Sequence, residues 1–211
     1  MDQKTILLVE DEAIIGLDIK NTLTFRGYNV IGPARKSEDA LCLVNEYLPD
    51  LILMDVIIQG EMDGIDLYET ISKSFSIPVV YVTAHSDFNT FKRANKTGPY
   101  GYVLKPINNN ELISVVELAL YKFDIENRLK LTVNELESLY NSMSEGLSVH
   151  KFIYNDEGVP VDYTILRVNP AYERITGISS ERAKGSSASK LYGIDEPPYM
   201  EQYRKVVSSN T

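Results

Sequence analysis

Three carboxylates fall where two short apolar runs end. Glu10 and Asp11 follow Ile6-Leu7-Leu8-Val9, and Asp55 follows Leu51-Ile52-Leu53-Met54. Two further runs close on groups of complementary chemistry: Thr83 after Val79-Val80-Tyr81-Val82, and Lys105 after Tyr102-Val103-Leu104. Grouped acids repel one another, and a hard divalent cation such as Mg²⁺, which takes oxygen ligands, is the usual remedy. Carboxylates, a cation, a hydroxyl and an ammonium together suit a phosphoryl group. One carboxylate would be the nucleophile, because cation and lysine neutralise the arriving charge. Singly, each residue has a plainer role: an Asp or Thr after a strand caps a helix, and a Lys there is solvated. Five such residues at matching run ends exceed that explanation.

These residues meet only if the runs are strands of one sheet. A fifth run, Asn29-Val30-Ile31, completes the set. Between the runs lie segments of helical spacing, such as Ile14, Leu17, Asp18 and Leu23, or Ala40, Leu41, Val44 and Leu48. Strands alternating with helices predict βαβ units, and runs apolar throughout predict strands covered on both faces. The expected architecture is a doubly wound, five-stranded parallel α/β sheet, with its ligand site beyond the carboxyl ends of the strands. The first and third strands should be neighbours, which brings the three acids together. Cys42 falls in the second helix and is expected in the core.

From Asn108 the pattern becomes one long helix, since Glu111 to Tyr140 contains neither Gly nor Pro. A heptad seam runs through Val115, Leu118, Lys122, Ile125, Leu129, Thr132, Leu136 and Leu139. It predicts a coiled-coil-like spacer that pairs two chains, against the plainer alternative of an ordinary linker. After Met143 the character changes again. Gly146 to Tyr154 reads as a strand, Asn155-Asp156-Glu157-Gly158 as a hairpin turn and Val161 to Val168 as the return strand. Asn169-Pro170 opens a short helix that ends at Gly177. Ser179 to Ser189 reads as turn-rich, and a last helical stretch passes through Val206 and Val207. Two strands and a few short helices bury too little to stand alone, so this α+β domain is expected to be incomplete.

Composition sets the outer bounds. The 211 residues are 44% apolar and 24% charged, enough for a buried core. Lys plus Arg number 21 against 30 Asp plus Glu, a net charge of −9 that repels nucleic acid and anionic lipid. A single cysteine permits no internal disulfide, and the acidic N-terminus is wrong for a signal peptide. No apolar stretch reaches membrane-spanning length. A cytoplasmic protein with no nucleic-acid or membrane partner is expected.

Over residues 4–123 the pieces LLVEDE, LILMDV, GEMDGID, PVVYVTAHSD and GYVLKP resemble the receiver domain of two-component response regulators, a flavodoxin-like fold. The resemblance implies Asp55 as phosphoacceptor, a histidine kinase as donor, and Mg²⁺ held by Glu10, Asp11, Asp55 and the backbone carbonyl of Ile57. It implies Thr83 and Lys105 as ligands of the phosphoryl oxygens, and Ala84 as a small residue that leaves the site open. Pro106 would follow a cis peptide, and Tyr102 would be the aromatic that turns inward when Thr83 moves. His85 would shape access. The segment from Asp55 to Asp63-Gly64 is one residue longer than in the commonest receivers. Phosphorylation would alter the face of the fourth helix (near Asp87 to Asn95), fifth strand and fifth helix, and that helix continues into the spacer at 124–142. A homodimer through this face and spacer is expected.

Residues 143–211 resemble the N-terminal part of a PAS sensor domain. The carriers are the strand pair and N-P-A-Y-E-R-I-T-G, with Asn169, Ala171, Tyr172 and Gly177 on the family's signature. No cysteine lies there for covalent flavin, and His150 reads as an ordinary strand residue rather than a haem ligand. No kinase box or ATP lid is present, so a kinase output would lie beyond Thr211. The expected activity is a switch, not an enzyme. The alternatives are a phosphatase-like enzyme with Asp55 as nucleophile, opposed by Ile57 where a second Asp belongs, and an unphosphorylated docking scaffold. A DNA-binding regulator is disfavoured by charge and by the lack of a helix-turn-helix.

Overall fold

Alternate residues of each central strand must point to opposite faces, and here both faces are apolar. The computed structural model, which describes residues 3–84 and 88–209, builds the strands β1 (Thr5–Val9), β2 (Asn29–Ala34), β3 (Leu51–Asp55), β4 (Val79–Ala84) and β5 (Gly101–Lys105) into one parallel sheet. The order is β2-β1-β3-β4-β5, with β1 in the middle of the chain reversal. The intervening helices are α1 (Ala13–Phe25), α2 (Ser37–Tyr47), α3 (Gly64–Ser72), α4 (Phe88–Lys96) and α5 (Asn109–Ser142). One face buries Leu7, Val9, Ile52, Met54, Val79 and Tyr81 under α2, α3 and α4. The other buries Ile6, Leu8, Leu51, Leu53, Val80 and Val82 under α1 and α5. This is the doubly wound, five-stranded flavodoxin-like architecture expected from the sequence. His85 and Asp87, the latter the expected start of the fourth helix, lie outside the described residues.

Two helix faces differ from the periodicity reading. In α1 the buried residues are Gly16, Ile19 and Leu23, whereas Ile14 is 85% and Leu17 58% exposed. Apolar residues sit on several sides of this helix, so packing sets its rotation: a Cβ at Gly16 would lie 3.1 Å from Pro33, and only glycine allows that approach without displacement. In α2, Ala40 and Val44 face the sheet. Leu48 leaves the helix in a left-handed conformation, and Cys42, two residues from Ala40, is exposed rather than in the core.

The chain divides into two compact units, Met1–Arg128 and Leu129–Thr211. In the second, β6 (Ser148–Tyr154) and β7 (Pro160–Val168) form an antiparallel pair. Asn155 Oδ1 accepts from the Glu157 and Val159 N–H groups, and Gly158 supplies a positive φ in the turn between the strands. The short helices are α6 (Pro170–Thr176), α7 (Ser180–Ala183), α8 (Ala188–Tyr192) and α9 (Met200–Ser209). The segment read as turn-rich thus carries two short helical turns, opened by Ser179 and Ser187. Their packing residues, Ala183, Ala188 and Leu191, are too sparse to print a helical period in sequence.

Asn169 organises this unit. Fully buried, it caps α6 by accepting from Tyr172 N–H and also accepts from Leu147 N–H. Its amide donates to the carbonyls of Tyr140 and Glu145. No helix among the described residues is long and apolar enough to cross a membrane.

Two substitutions test this framework. A Cβ at Gly64 would fall 1.9 Å from the Asp55 carbonyl oxygen, so Gly64→Ala must displace α3 or β3. It should cost about 3 kcal/mol or more in a denaturant melt of the first unit. Asn169→Ala removes the side-chain partner of the Leu147 and Tyr172 N–H groups and of the Tyr140 and Glu145 carbonyls, and should cost about 2–4 kcal/mol, read as faster amide exchange confined to residues after Arg128.

Candidate functional site

The carboxyl ends of β1, β3, β4 and β5 converge because parallel strands share one direction. Register places Val9 beside Met54 and Asp55 beside Val82, so Glu10, Asp11, Asp55 and Thr83 share one rim. Ala84 pairs with Lys105, closing the row. One carboxylate oxygen from each of Glu10, Asp11 and Asp55 lies within 4.8 Å of the others. Glu10 is fully buried and Asp55 only 4% exposed.

Lys105 binds this acidic group together. Its Nζ donates to Asp55 Oδ2 at 2.8 Å, to Glu10 Oε1 at 3.1 Å and to Glu12 Oε1 at 3.3 Å. Asp55 Oδ1 accepts from Ile57 N–H at 3.0 Å, so both oxygens of that carboxylate are held. Glu10 Oε2 lies 3.0 Å from Lys105 Nζ, yet receives no hydrogen bond. A buried carboxylate oxygen that Lys105 meets only as an ion pair, beside two further carboxylates, fits a hard cation such as Mg²⁺.

The ionisation follows from this packing. Burial, and then the Asp55 charge, push Glu10 from its ordinary 4.5 up to about 7, against hydrogen bonds from Lys105 and from the Glu12 N–H. Burial alone would lower Lys105, but its hydrogen bonds and charge pairing with Asp55 and Glu10 prevail and hold it above its usual range.

The remaining expected residues sit around this centre. Thr83 is buried and its hydroxyl donates to the Ala84 carbonyl at 3.0 Å, while Ala84 is exposed. The Lys105–Pro106 peptide is cis. Tyr102, half-buried, packs at a tilt against Tyr81 and Phe91 and donates its hydroxyl to Asn95 Oδ1 of α4 at 3.0 Å. Ile57 is largely exposed, with its N–H turned to Asp55.

Two features escaped the sequence reading. Glu12 completes the Lys105 cluster; the signal was a glutamate at a helix N-cap, a place that favours shorter polar residues. Asp63 caps α3 through the N–H groups of Ile65 and Asp66, and the Arg93 guanidinium of α4 forks onto Asp63 at 2.9 Å and Asp66 at 2.7 Å. The Asp-x-x-Asp spacing marked a helix start, but nothing local indicated Arg93.

The family described as "Response regulator receiver domain" matches residues 6–117. The transcriptional regulatory protein PdtaR of Mycobacterium tuberculosis is 31% identical over 156 residues, 74% of this chain and 72% of that protein. The nitrogen assimilation regulatory protein NtrX of Azorhizobium caulinodans is 33% identical over 136 residues, 64% of this chain and 29% of that protein. Among solved structures, the N-terminal domain of a response regulator/sensory box/GGDEF three-domain protein from Carboxydothermus hydrogenoformans matches with 35% identity and a TM-score of 0.53, over 58% of this chain and 98% of that one.

Without divalent metal, folded Glu10 keeps its proton between its ordinary 4.5 and about 7, where the unfolded chain has released it. Stability from this group is therefore full at low pH and falls as pH rises towards and through 7, by on the order of 1–3 kcal/mol. A cation takes the place of that proton, so Mg²⁺ should raise the melting temperature more at about pH 8 than at about pH 5.5. Calorimetry with and without EDTA reads the difference; equal shifts at both pH values would contradict it.

Proposed function

Because the chain belongs to the response regulator receiver family, whose members serve two-component signalling, we propose that Asp55 accepts a phosphoryl group from a histidine kinase and that the chain works as a switch rather than an enzyme. The observation that carries this reading is the Lys105 ammonium, 2.8 Å from Asp55 and also bonded to buried Glu10 at the same sheet rim.

In this reading an Asp55 carboxylate oxygen attacks phosphorus. The new O–P bond forms as the bond from phosphorus to the donor imidazole nitrogen breaks, and the nitrogen leaves with the electron pair. Glu10, Asp11, Asp55 and the Ile57 carbonyl would hold Mg²⁺, which supplies charge neutralisation for the phosphoryl oxygens when bound. Lys105 donates to a phosphoryl oxygen from the adjacent strand end. Thr83 exchanges its present hydrogen bond to the Ala84 carbonyl for another phosphoryl oxygen. Exposed Ala84 leaves the approach open, and Pro106 shapes the turn that follows Lys105.

The readout is a packing change. Tyr102 leaves Asn95 as Thr83 moves, which frees α4 and changes the face formed with β5 and α5. Exposed Leu118, Ile125, Leu129, Leu136 and Leu139 support α5 as a homodimer seam. We read residues 4–123 as the receiver, 124–142 as a helical linker, and 143–211 as part of a PAS domain that receives the signal in the cytoplasm. The hairpin and the Asn169-capped helix α6 support the PAS assignment.

Intact mass after incubation with Mg²⁺ and acetyl phosphate tests the reading. One phosphoryl adduct on the wild type, and none on Asp55→Asn, is the expected result. No adduct on a folded wild-type chain would leave a docking platform instead.

A further inference from the structure

We propose that Glu12 is a positioning residue for Lys105, holding the third N–H of its ammonium until a phosphoryl oxygen claims it. The inference rests on Asp55 being the phosphoacceptor.

An ammonium offers three N–H donors and no acceptor. At Lys105 all three have partners: Asp55 Oδ2 at 2.8 Å, Glu10 Oε1 at 3.1 Å and Glu12 Oε1 at 3.3 Å, with Glu10 Oε2 also in ion-pair contact at 3.0 Å. The first two acceptors are buried and anchored. Asp55 is held by the Ile57 N–H, and Glu10 Oε1 accepts from the Glu12 N–H at 3.2 Å. Glu12 differs on both counts. Its side chain is 62% exposed, and its contact is the longest of the three.

The backbone of Glu12 is nevertheless well placed. As the N-cap of α1 its carbonyl accepts from the Gly16 N–H at 2.9 Å, so the origin of its side chain is set at the mouth of the site. An N-cap side chain ordinarily turns back to the first helical N–H groups. That of Glu12 makes no such bond and reaches across to Lys105 instead.

A phosphoryl group on Asp55 brings acceptor oxygens that need a Lys105 donor. The ammonium can supply one only by releasing a present partner, and the exposed, longest contact yields first. Glu12 therefore favours the unphosphorylated site and slows phosphorylation modestly. Exposed ion pairs are weak, so the expected effect is about two- to fivefold.

The test uses the whole chain, Mg²⁺ and acetyl phosphate, with adduct formation followed by intact mass for wild type, Glu12→Ala and Glu12→Asp. Glu12→Ala, which leaves no acceptor in reach of Lys105, should be phosphorylated two to five times faster. Glu12→Asp keeps the charge but is too short to reach Lys105, and should also be faster than wild type. A second readout needs no phosphodonor: the ¹⁵N–¹H signal of the Lys105 ammonium should exchange with water faster in both variants. An unchanged rate in Glu12→Ala would overturn the proposal. So would a wild-type rate in Glu12→Asp, which would make charge at the mouth the cause rather than the contact. A wild-type chain that takes no phosphoryl group would remove the reading of Asp55 itself, a different failure from either of these.

Discussion

An ammonium placed among carboxylates is the constraint on which the site depends. Glu10 has no exposure to water and Asp55 almost none, so each would carry a heavy desolvation cost as an isolated anion. Lys105 offsets part of that cost with hydrogen bonds to both. The offset is incomplete: one Glu10 oxygen meets Lys105 only as an ion pair, and Glu10 keeps a raised affinity for its proton. The site is thereby poised to take up positive charge.

This arrangement exists only because the parallel sheet delivers residues far apart in sequence to one rim. Lys105 and Glu10 are 95 positions apart, and their contact needs β1, β3, β4 and β5 in register. The apolar residues beneath the rim secure that register on both faces of the sheet. Gly64 then lets α3 start against the Asp55 backbone, and Asp63 ties the same turn to α4 through Arg93. Packing below the site and ion pairs beside it are thus parts of one structure.

The second unit is organised by a different kind of bond. Where the sheet of the first unit rests on apolar burial, residues 129–211 have a smaller core, and a single buried amide satisfies four backbone groups drawn from three places. A buried polar side chain of this kind is tolerated because every donor and acceptor on it is used.

Much of this was legible in the sequence because it depends on local pattern. The apolar runs named the strands, their ends named Glu10, Asp11, Asp55, Thr83 and Lys105, and Asn169-Pro170 with Gly177 marked the limits of α6. Turn and cap chemistry acts between residues a few positions apart, so it is printed in the chain. Tertiary structure alone decided the rest. The rotation of α1 and α2, and with it the exposure of Ile14, Leu17 and Cys42, depends on which neighbour each helix meets, such as Pro33 against Gly16. The recruitment of Glu12 to Lys105 and of Arg93 to Asp63 is likewise a matter of distance in space, 93 and 30 positions apart along the chain. Periodicity tells which residues are apolar and how they repeat; which of them the fold covers is determined by packing between elements.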